Sequence, residues 1–482
     1  MTNHTTIPLA RHSHPNLILA ICCMSLLMVS MDVTIVNVAL PSIRRDLGAS
    51  ISGLQWTIDA YTMVVASLLM LAGSMADRFG RRRVFQAGMA LFTLGSLLCS
   101  WAPDIRWLVG CRVLQALGAT MLNPVAMSII TNTFLDPKAR ARAIGVWGAV
   151  VGVSMALGPL IGGALTQSVG WRSIFWINLP IGIAAMILAG RYVPESKATR
   201  ARRVDPLGQL LVFVALTALI YAVIEGPKNG WSSWLIIGLF CVAAVAVIAL
   251  LIYEPRRREP LLDLRFFRSV PFSSATLIAV CAFAAFAGFL FLNSLYLQEV
   301  RGLSAFHTGL CTLPLALATM VCSPLSGRMV GSLGTRPPLL IAGSAMIVSA
   351  FMLTYMHADT PIIVLMLSYL IFGIGFGTVN APITNTAVSG MPKAQAGLAA
   401  AVASTSRQVG ASLGVAIAGT VSAARGVVGP NFTQATHAFW WLVAGCGTAI
   451  ALLGWCSHTA WAKASTRHAA HLLEETPAGV CA

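Results

Sequence analysis

Apolar residues in this chain run in long blocks, and polar and charged residues gather in short breaks between them. A helix needs about 20 apolar residues to cross about 30 Å of hydrocarbon. Fourteen blocks reach that length: 17–41, 53–74, 84–102, 105–132, 143–166, 173–190, 207–224, 232–253, 273–297, 308–330, 338–356, 361–385, 395–421 and 438–456. The pattern therefore predicts fourteen membrane-spanning helices and leaves no room for a soluble domain. The first block follows Arg11 as a signal peptide does, but it is too long, contains Asp32 and lacks a small-x-small cleavage site, so it predicts an uncleaved anchor.

Composition agrees with a chain that lives in lipid. Apolar residues make up 57% and charged residues 10%, and the mean hydropathy is +0.79. The net charge of +16 raises the question of nucleic acid, yet the cations follow membrane topology. With the N-terminus inside, segments predicted to be cytoplasmic hold 23 of the 32 Lys and Arg, among them Arg78, Arg81, Arg82 and Arg83, five between 191 and 203, and five between 256 and 268. Outside segments hold 7, and Arg112 and Arg407 lie within spans. By the positive-inside rule this bias places both termini in the cytoplasm and makes a nucleic-acid partner unnecessary.

Ten of the eleven cysteines sit inside apolar blocks and Cys481 lies in the tail, so no disulfide framework or metal cluster is expected. The nine histidines have no ligand spacing, and no Walker-type glycine-rich loop offers a site for ATP.

Internal repetition organises the spans. Asp32-x4-Asn37 in the first span answers Gly288-x4-Asn293 in the ninth, an offset of 256. Gly73-x3-Asp77-x2-Gly80-x-Arg82 answers Gly327-x3-Gly331-x2-Gly334-x-Arg336 at 254, and Leu157-Gly158 with Gly163 answers Leu413-Gly414 with Gly419 at 256. Three matches near one offset, in chain order, predict six spans, an inserted pair, then six spans. The resulting division is a cytoplasmic tail 1–16, a six-helix bundle 17–192, linkers with the inserted pair 193–258, a second bundle 259–456 and a cytoplasmic tail 457–482.

An ionisable side chain within a span costs about 2.5–3.5 kcal/mol on insertion scales, so Asp32, Asp59 and Arg112 are expected to face a cavity or one another. Asp32 lies about fifteen residues, roughly 22 Å, into an outward-running helix, and Asp59 and Arg112 lie roughly 10 Å into inward-running ones. All three fall in the outer half of the membrane. Such a cluster can load and release protons, and a static ion pair is the plainer alternative. The repeat-related positions in the second half are Gly288 and Leu313, so the charge belongs to one half. Gly73 and Gly80 are expected to let backbones approach, with Asp77, Arg78, Arg81 and Arg82 forming a charge latch between the halves. Gly152, Gly158, Gly162 and Gly163 offer a smooth face for helix contact beside a kink at Pro159, a hinge and seal. Arg407 lacks an evident acid partner. Tyr61, Trp176, Phe286, Phe289 and Tyr296 are candidate surfaces for a flat guest, with packing as the alternative. Asn37 and Asn293 are polar candidates beside them.

Taken together, Asp32-Val-Thr-Ile-Val-Asn-Val-Ala-Leu-Pro41, Gly73-Ser-Met-Ala-Asp-Arg-Phe-Gly-Arg-Arg82, Arg112-Val-Leu-Gln-Ala-Leu-Gly118, Gly152-x5-Gly158-Pro159-x2-Gly162-Gly163 and Trp171-Arg-Ser-Ile-Phe-Trp-Ile-Asn-Leu-Pro180 resemble the fourteen-span drug:proton antiporters of the major facilitator superfamily. The resemblance covers nearly the whole chain. It implies an all-α membrane fold with fourteen transmembrane helices, two six-helix pseudo-repeats plus two inserted helices, working by alternating access. It implies proton coupling at Asp32 and Arg112 with Gln115 one turn on, and a second-span acid, Asp59, like that of the quaternary-ammonium exporters. Some of those exporters carry another acid in the tenth span, where this chain reads Leu315-Ala-Leu-Ala-Thr-Met320, which speaks against divalent cations as cargo.

The expected protein is a transporter and not an enzyme. It sits in the inner (cytoplasmic) membrane and exports lipophilic compounds, cationic ones foremost, on the proton gradient with no cofactor; the lipid bilayer, protons and a small-molecule substrate are its partners, and a periplasmic adaptor is not specified. Export of an endogenous metabolite or lipid, and nutrient import, are the alternatives.

Overall fold

The structure is a computed structural model; it describes residues 14–197, 205–257, 260–389, 391, 395–423, 432–457 and 459–474. Arg11, Arg200, Arg202, Arg203, Arg258, Lys393, Arg425 and Cys481 lie outside the described residues.

The apolar blocks become helices α1 (Pro15–Leu47), α2 (Ile51–Phe79), α3 (Arg81–Ser100), α4 (Ile105–Thr133), α5 (Pro137–Ser168), α6 (Ser173–Tyr192), α7 (Pro206–Asn229) and α8 (Trp234–Tyr253). They continue as α9 (Val270–Leu295), α10 (Ala305–Leu333), α11 (Arg336–Thr354), α12 (Ile362–Val388), α13 (Ala396–Ala423) and α14 (Phe432–Cys456), followed by a shorter helix, α15 (Ala460–Glu474). Thirteen of the first fourteen are long and apolar enough to cross a membrane. The remaining one, α13, is equally continuous, but the polar run Ser404-Thr-Ser-Arg-Gln408 breaks its apolar character.

Local chemistry sets the boundaries. Ser50, Asp104, Asp136 and Asp205 each cap a helix by accepting a hydrogen bond from a backbone N–H three residues on, at 3.2, 2.9, 2.7 and 3.1 Å. Pro15, Pro137 and Pro206 open helices, where a missing N–H costs nothing. Gly48, at φ +59°, ends α1 in the left-handed region. The third helix starts three residues earlier than its apolar block because Gly80, at φ +110°, turns the chain sharply after α2.

Two six-helix units result, α1–α6 and α9–α14. In each, the fifth helix lies on the first through glycine: a Cβ at Gly158 or Gly162 would overlap Thr34 or Ile35 of α1, and one at Gly410 or Gly414 would overlap Val280 or Ala284 of α9. The halves meet along two seams, α5 on α10 and α2 on α13, with α1 touching α9. The inserted α7 lies against both α2 and α13, and α8 packs on α7.

The hydrogen bonds and ion pairs that join the halves sit toward the end of the bundle away from the Arg-rich loops. Arg44 pairs with Glu299 at 2.5 Å. Ser294 and Gln298 donate to the carbonyls of Asn37 and Val38 at 2.5 and 2.8 Å, and Gln55 donates to the Ala416 carbonyl at 2.7 Å. Toward the Arg-rich end one face of α5 is open, with Arg142, Ile144, Gly145, Val146, Gly148 and Ala149 exposed, while Ala143 and Trp147 pack on the core of the first half.

Candidate functional site

Asp32 and Arg112 meet at the heart of the first half. Arg112 Nη1 of α4 reaches Asp32 Oδ2 of α1 at 2.5 Å, and both side chains are almost wholly buried. Gln115, three residues from Arg112 on the same helix face, donates to Asp32 Oδ1 at 2.9 Å and accepts from Arg112 at 2.7 Å. Arg112 Nε donates to the Thr57 carbonyl at 3.1 Å. Asn178 of α6 supplies a further donor to Asp32 Oδ1 at 3.3 Å and bonds Ser96 at 3.0 Å. The Tyr61 ring closes the group from above, 4.3 Å from the guanidinium carbon. A buried ion pair of this kind holds together only with further hydrogen bonds, which Gln115, Asn178 and the Thr57 carbonyl supply here.

Asp59 is not part of that group, contrary to a single three-residue cluster. Its side chain faces the other half, where Ser412 of α13 donates to Oδ1 at 2.9 Å and Thr62 of its own helix does so at 3.4 Å. Asp59 is fully buried, its Oδ2 has no hydrogen-bond partner, and no ion pair reaches it among the described residues. Depth along a helix placed the acids at similar heights, but their bearing around the axis sends them to different neighbours.

The guest-binding candidates divide. Phe286 stacks on Phe376 at 4.0 Å near the middle of the second half. Phe289 is enclosed by Tyr369, Phe372 and Trp440, and Asn293 donates to the Phe289 carbonyl and accepts from the Tyr369 hydroxyl at 2.6 Å. Both side chains are buried in the interior of the second half. Asn37 donates to the Val33 carbonyl at 2.8 Å. Tyr61 is buried over Arg112. Among the described residues neither Asn37 Oδ1 nor the Tyr61 hydroxyl has a hydrogen-bond partner.

The latch residues pair within the first half. Asp77 bonds Arg81 at 3.0 Å, while Arg82 and Arg83 lie 3.8 and 3.7 Å from Glu195 after α6. Arg78 is exposed. A Cβ on Gly80 would strike the Glu195 carboxylate, whereas one on Gly73 would meet nothing within 4 Å. The close approach expected at Gly73 is therefore absent, because α2 ends on the side where the halves do not touch.

The fifth-span motif faces two ways. Gly158 and Gly162 seat α5 on α1, while Gly163 abuts the Ala305 carbonyl and the Pro159 carbonyl abuts Gly309, both on α10. A Cβ at Gly152 would lie 3.3 Å from Met320. Arg407 donates to Thr384 at 2.5 Å and to the Asn380 carbonyl at 3.5 Å, with its Nε unpartnered and the Phe283 ring 5.8 Å away.

Sequence reading passed over Asn178, Ser412, Gln55 and Glu299. Asn178 stands inside the quoted Trp171–Pro180 motif, and its signal was a polar residue in an apolar block. The other three carry no signal until α2, α9 and α13 are neighbours.

Two pseudo-repeated six-helix units joined along seams, with a buried charge group in one of them, define a multi-pass membrane transporter and not an enzyme. The chain belongs to the Major Facilitator Superfamily, whose profile matches residues 22–415. It is 39% identical over 402 residues to the multidrug resistance protein Stp of Mycobacterium tuberculosis, covering 83% of this chain and 74% of that protein. It is 35% identical to the tetracenomycin C resistance and export protein of Streptomyces glaucescens, covering 83% and 74%, and 39% identical to the puromycin resistance protein pur8 of Streptomyces alboniger, covering 82% and 79%. Among solved structures, a D-xylose-proton symporter aligns with a TM-score of 0.66 at 16% identity, covering 92% of this chain and 98% of that one. A bacterial homolog of the human lysosomal transporter Spinster aligns with a TM-score of 0.64, covering 97% and 98%. At that identity the likeness concerns the fold.

Proposed function

We propose that this protein is a drug exporter of the bacterial inner membrane that expels lipophilic compounds, cationic ones included, in exchange for protons. Relatives named for drug and antibiotic resistance support the export reading. The observation that carries proton exchange is the contrast between two buried acids: Asp32 is neutralised by Arg112, while Asp59 has hydroxyl partners and, among the described residues, no ion pair.

A carboxylate buried without a counter-cation is costly in a membrane, so Asp59 favours an arriving positive charge. A proton and the cationic group of a cargo both supply one, and they exclude each other. Competition of that kind is what antiport requires. Asp32, Arg112 and Gln115 form the proton-coupling group of the first half, whose pairing must loosen when a proton reaches Asp32. The two acids can titrate as one unit if they communicate through α2, which supplies both Asp59 and the Thr57 carbonyl bonded to Arg112.

The joined end faces the periplasm and the Arg-rich end the cytoplasm, so this is an inward-facing state. Alternating access then requires the Arg44–Glu299 pair and the Gly163 contact to part while the Arg-rich end closes. No cofactor enters this scheme. Substrate-induced proton release from everted vesicles, set against a panel of cationic and neutral compounds, tests it; export without proton movement overturns it.

A further inference from the structure

The inserted helix α7 runs along the outside of the seam between α2 and α13 and is tied to both. Gln209 donates to the Ser67 carbonyl of α2, Trp56 of α2 donates to Glu225 at 3.1 Å, and Thr420 of α13 donates to the Val223 carbonyl at 2.8 Å. Beneath its first half the helices do not fill the space. A cavity of about 180 Å³ opens among Ser67 of α2, Val212 of α7, Val280 of α9, Thr405 and Val409 of α13, and Leu262 of the segment before α9.

The wall is apolar apart from hydroxyls, and no ionisable side chain lines it. Ser67 and Thr405 both line it, and the oxygen of each is buried with no hydrogen-bond partner among the described residues. Ser67 is only 2% exposed. Buried polar atoms in folded proteins are nearly all paired, so two of them, on Ser67 and Thr405, lining one apolar space mark a place for a guest.

Size and charge define that guest. A cavity of about 150 Å³ holds one benzene, and whole drug molecules need roughly 300–1,000 Å³, so this one takes a single ring. A cation here would shed its hydration without finding a counter-ion. We infer that the cavity is a lateral vestibule that binds a neutral ring bearing a hydrogen-bonding group, such as a phenol or a quinone, arriving from the cytoplasmic leaflet.

Its position gives the site a use. Ser67 lies eight residues beyond Asp59 on α2, and Thr405 lies seven before Ser412 on α13. At about 1.5 Å per residue the guest sits about 10–12 Å from the Asp59–Ser412 bond along the same seam. The two walls belong to different halves, so parting of the seam opens the vestibule toward Asp59. Only this last step rests on the export reading; binding does not.

The test is photolabelling of the full-length protein in nanodiscs with a small diazirine-bearing phenol, read by peptide mass spectrometry. Label should concentrate on 66–70, 212 and 402–409. Filling the space with Val212→Phe should remove most of it. The Ser67→Ala/Thr405→Val pair, which keeps the cavity, should weaken phenol labelling about five- to tenfold while sparing the same probe without its hydroxyl. Diffuse label over the outer face of α8, unchanged by Val212→Phe, overturns the inference. So does displacement of the phenol by a diazirine-acyl phospholipid that labels the same peptides, which would make the cavity a lipid site. Vestibule labelling in a protein that exports nothing upholds the site and removes the export reading alone.

Discussion

Ser412 of α13 donates a hydrogen bond to Asp59 of α2 at 2.9 Å, so an acid of one half is held by a hydroxyl of the other. The bond must break whenever the α2–α13 seam opens, which links the charge state of Asp59 to the relative position of the halves. A hydrogen bond to a charged group contributes about 1.5–3 kcal/mol and a neutral one about 1 kcal/mol. Protonation at Asp59 therefore changes how firmly the seam is held.

Asp59→Asn keeps a side chain that accepts from Ser412 but removes the charge. Cationic compounds should lose about tenfold or more in export, neutral ones much less, and proton release with neutral cargo should persist. Equal loss for both classes would take Asp59 out of cation recognition.

Asp32→Asn should leave cargo binding intact and abolish uphill efflux. It also leaves Arg112 buried without its acid, a change that costs about 3–5 kcal/mol when a buried pair is broken from one side. The double variant Asp32→Asn/Arg112→Gln should recover thermal stability in detergent without recovering coupling. Full proton-coupled transport by either variant rules out the assignment.

Gly163→Ala pushes a methyl group into the Ala305 carbonyl only while the halves are joined at the periplasmic end. Overpacking of this kind costs about 1–3 kcal/mol, so the population should shift away from the inward-facing state. In a cysteine-depleted background, a cysteine at Gln298 should become more reactive toward an impermeant thiol reagent added from outside. Unchanged reactivity would mean that α5 and α10 do not form the seal.

Asp77→Asn loses a partly buried pair with Arg81 on one helix, worth about 0.3–0.5 kcal/mol. Folded yield should therefore hold while turnover falls, because the pair is lost from the state seen here and the balance between the two states shifts. Wild-type transport rates in reconstituted vesicles would remove the latch from the mechanism.

Orientation is checked by a reporter fused after Cys456 that is active only outside the membrane. It should stay silent, and activity would invert the proposed topology.

The apolar blocks of the sequence determined which residues form spans, because a helix of about 20 apolar residues is the one backbone arrangement that satisfies its own hydrogen bonds in lipid. The repeat offset determined the two-half architecture, and the glycine spacing marked the helices that touch most closely. Pairing was a different matter. Asp32, Asp59 and Arg112 read as one group at one depth, yet the structure joins Asp32 to Arg112, Gln115 and Asn178 and turns Asp59 to Ser412, some 350 residues away in sequence. For Phe289 the sequence left guest contact and packing both open, and only the bundle shows its neighbours: Phe289 lies against Phe372, and Asn293 accepts from Tyr369. Position along a helix is written in the sequence as a count of residues. Which neighbour a side chain meets depends on how each helix is rotated and which helices lie beside it, and only the assembled bundle decides that.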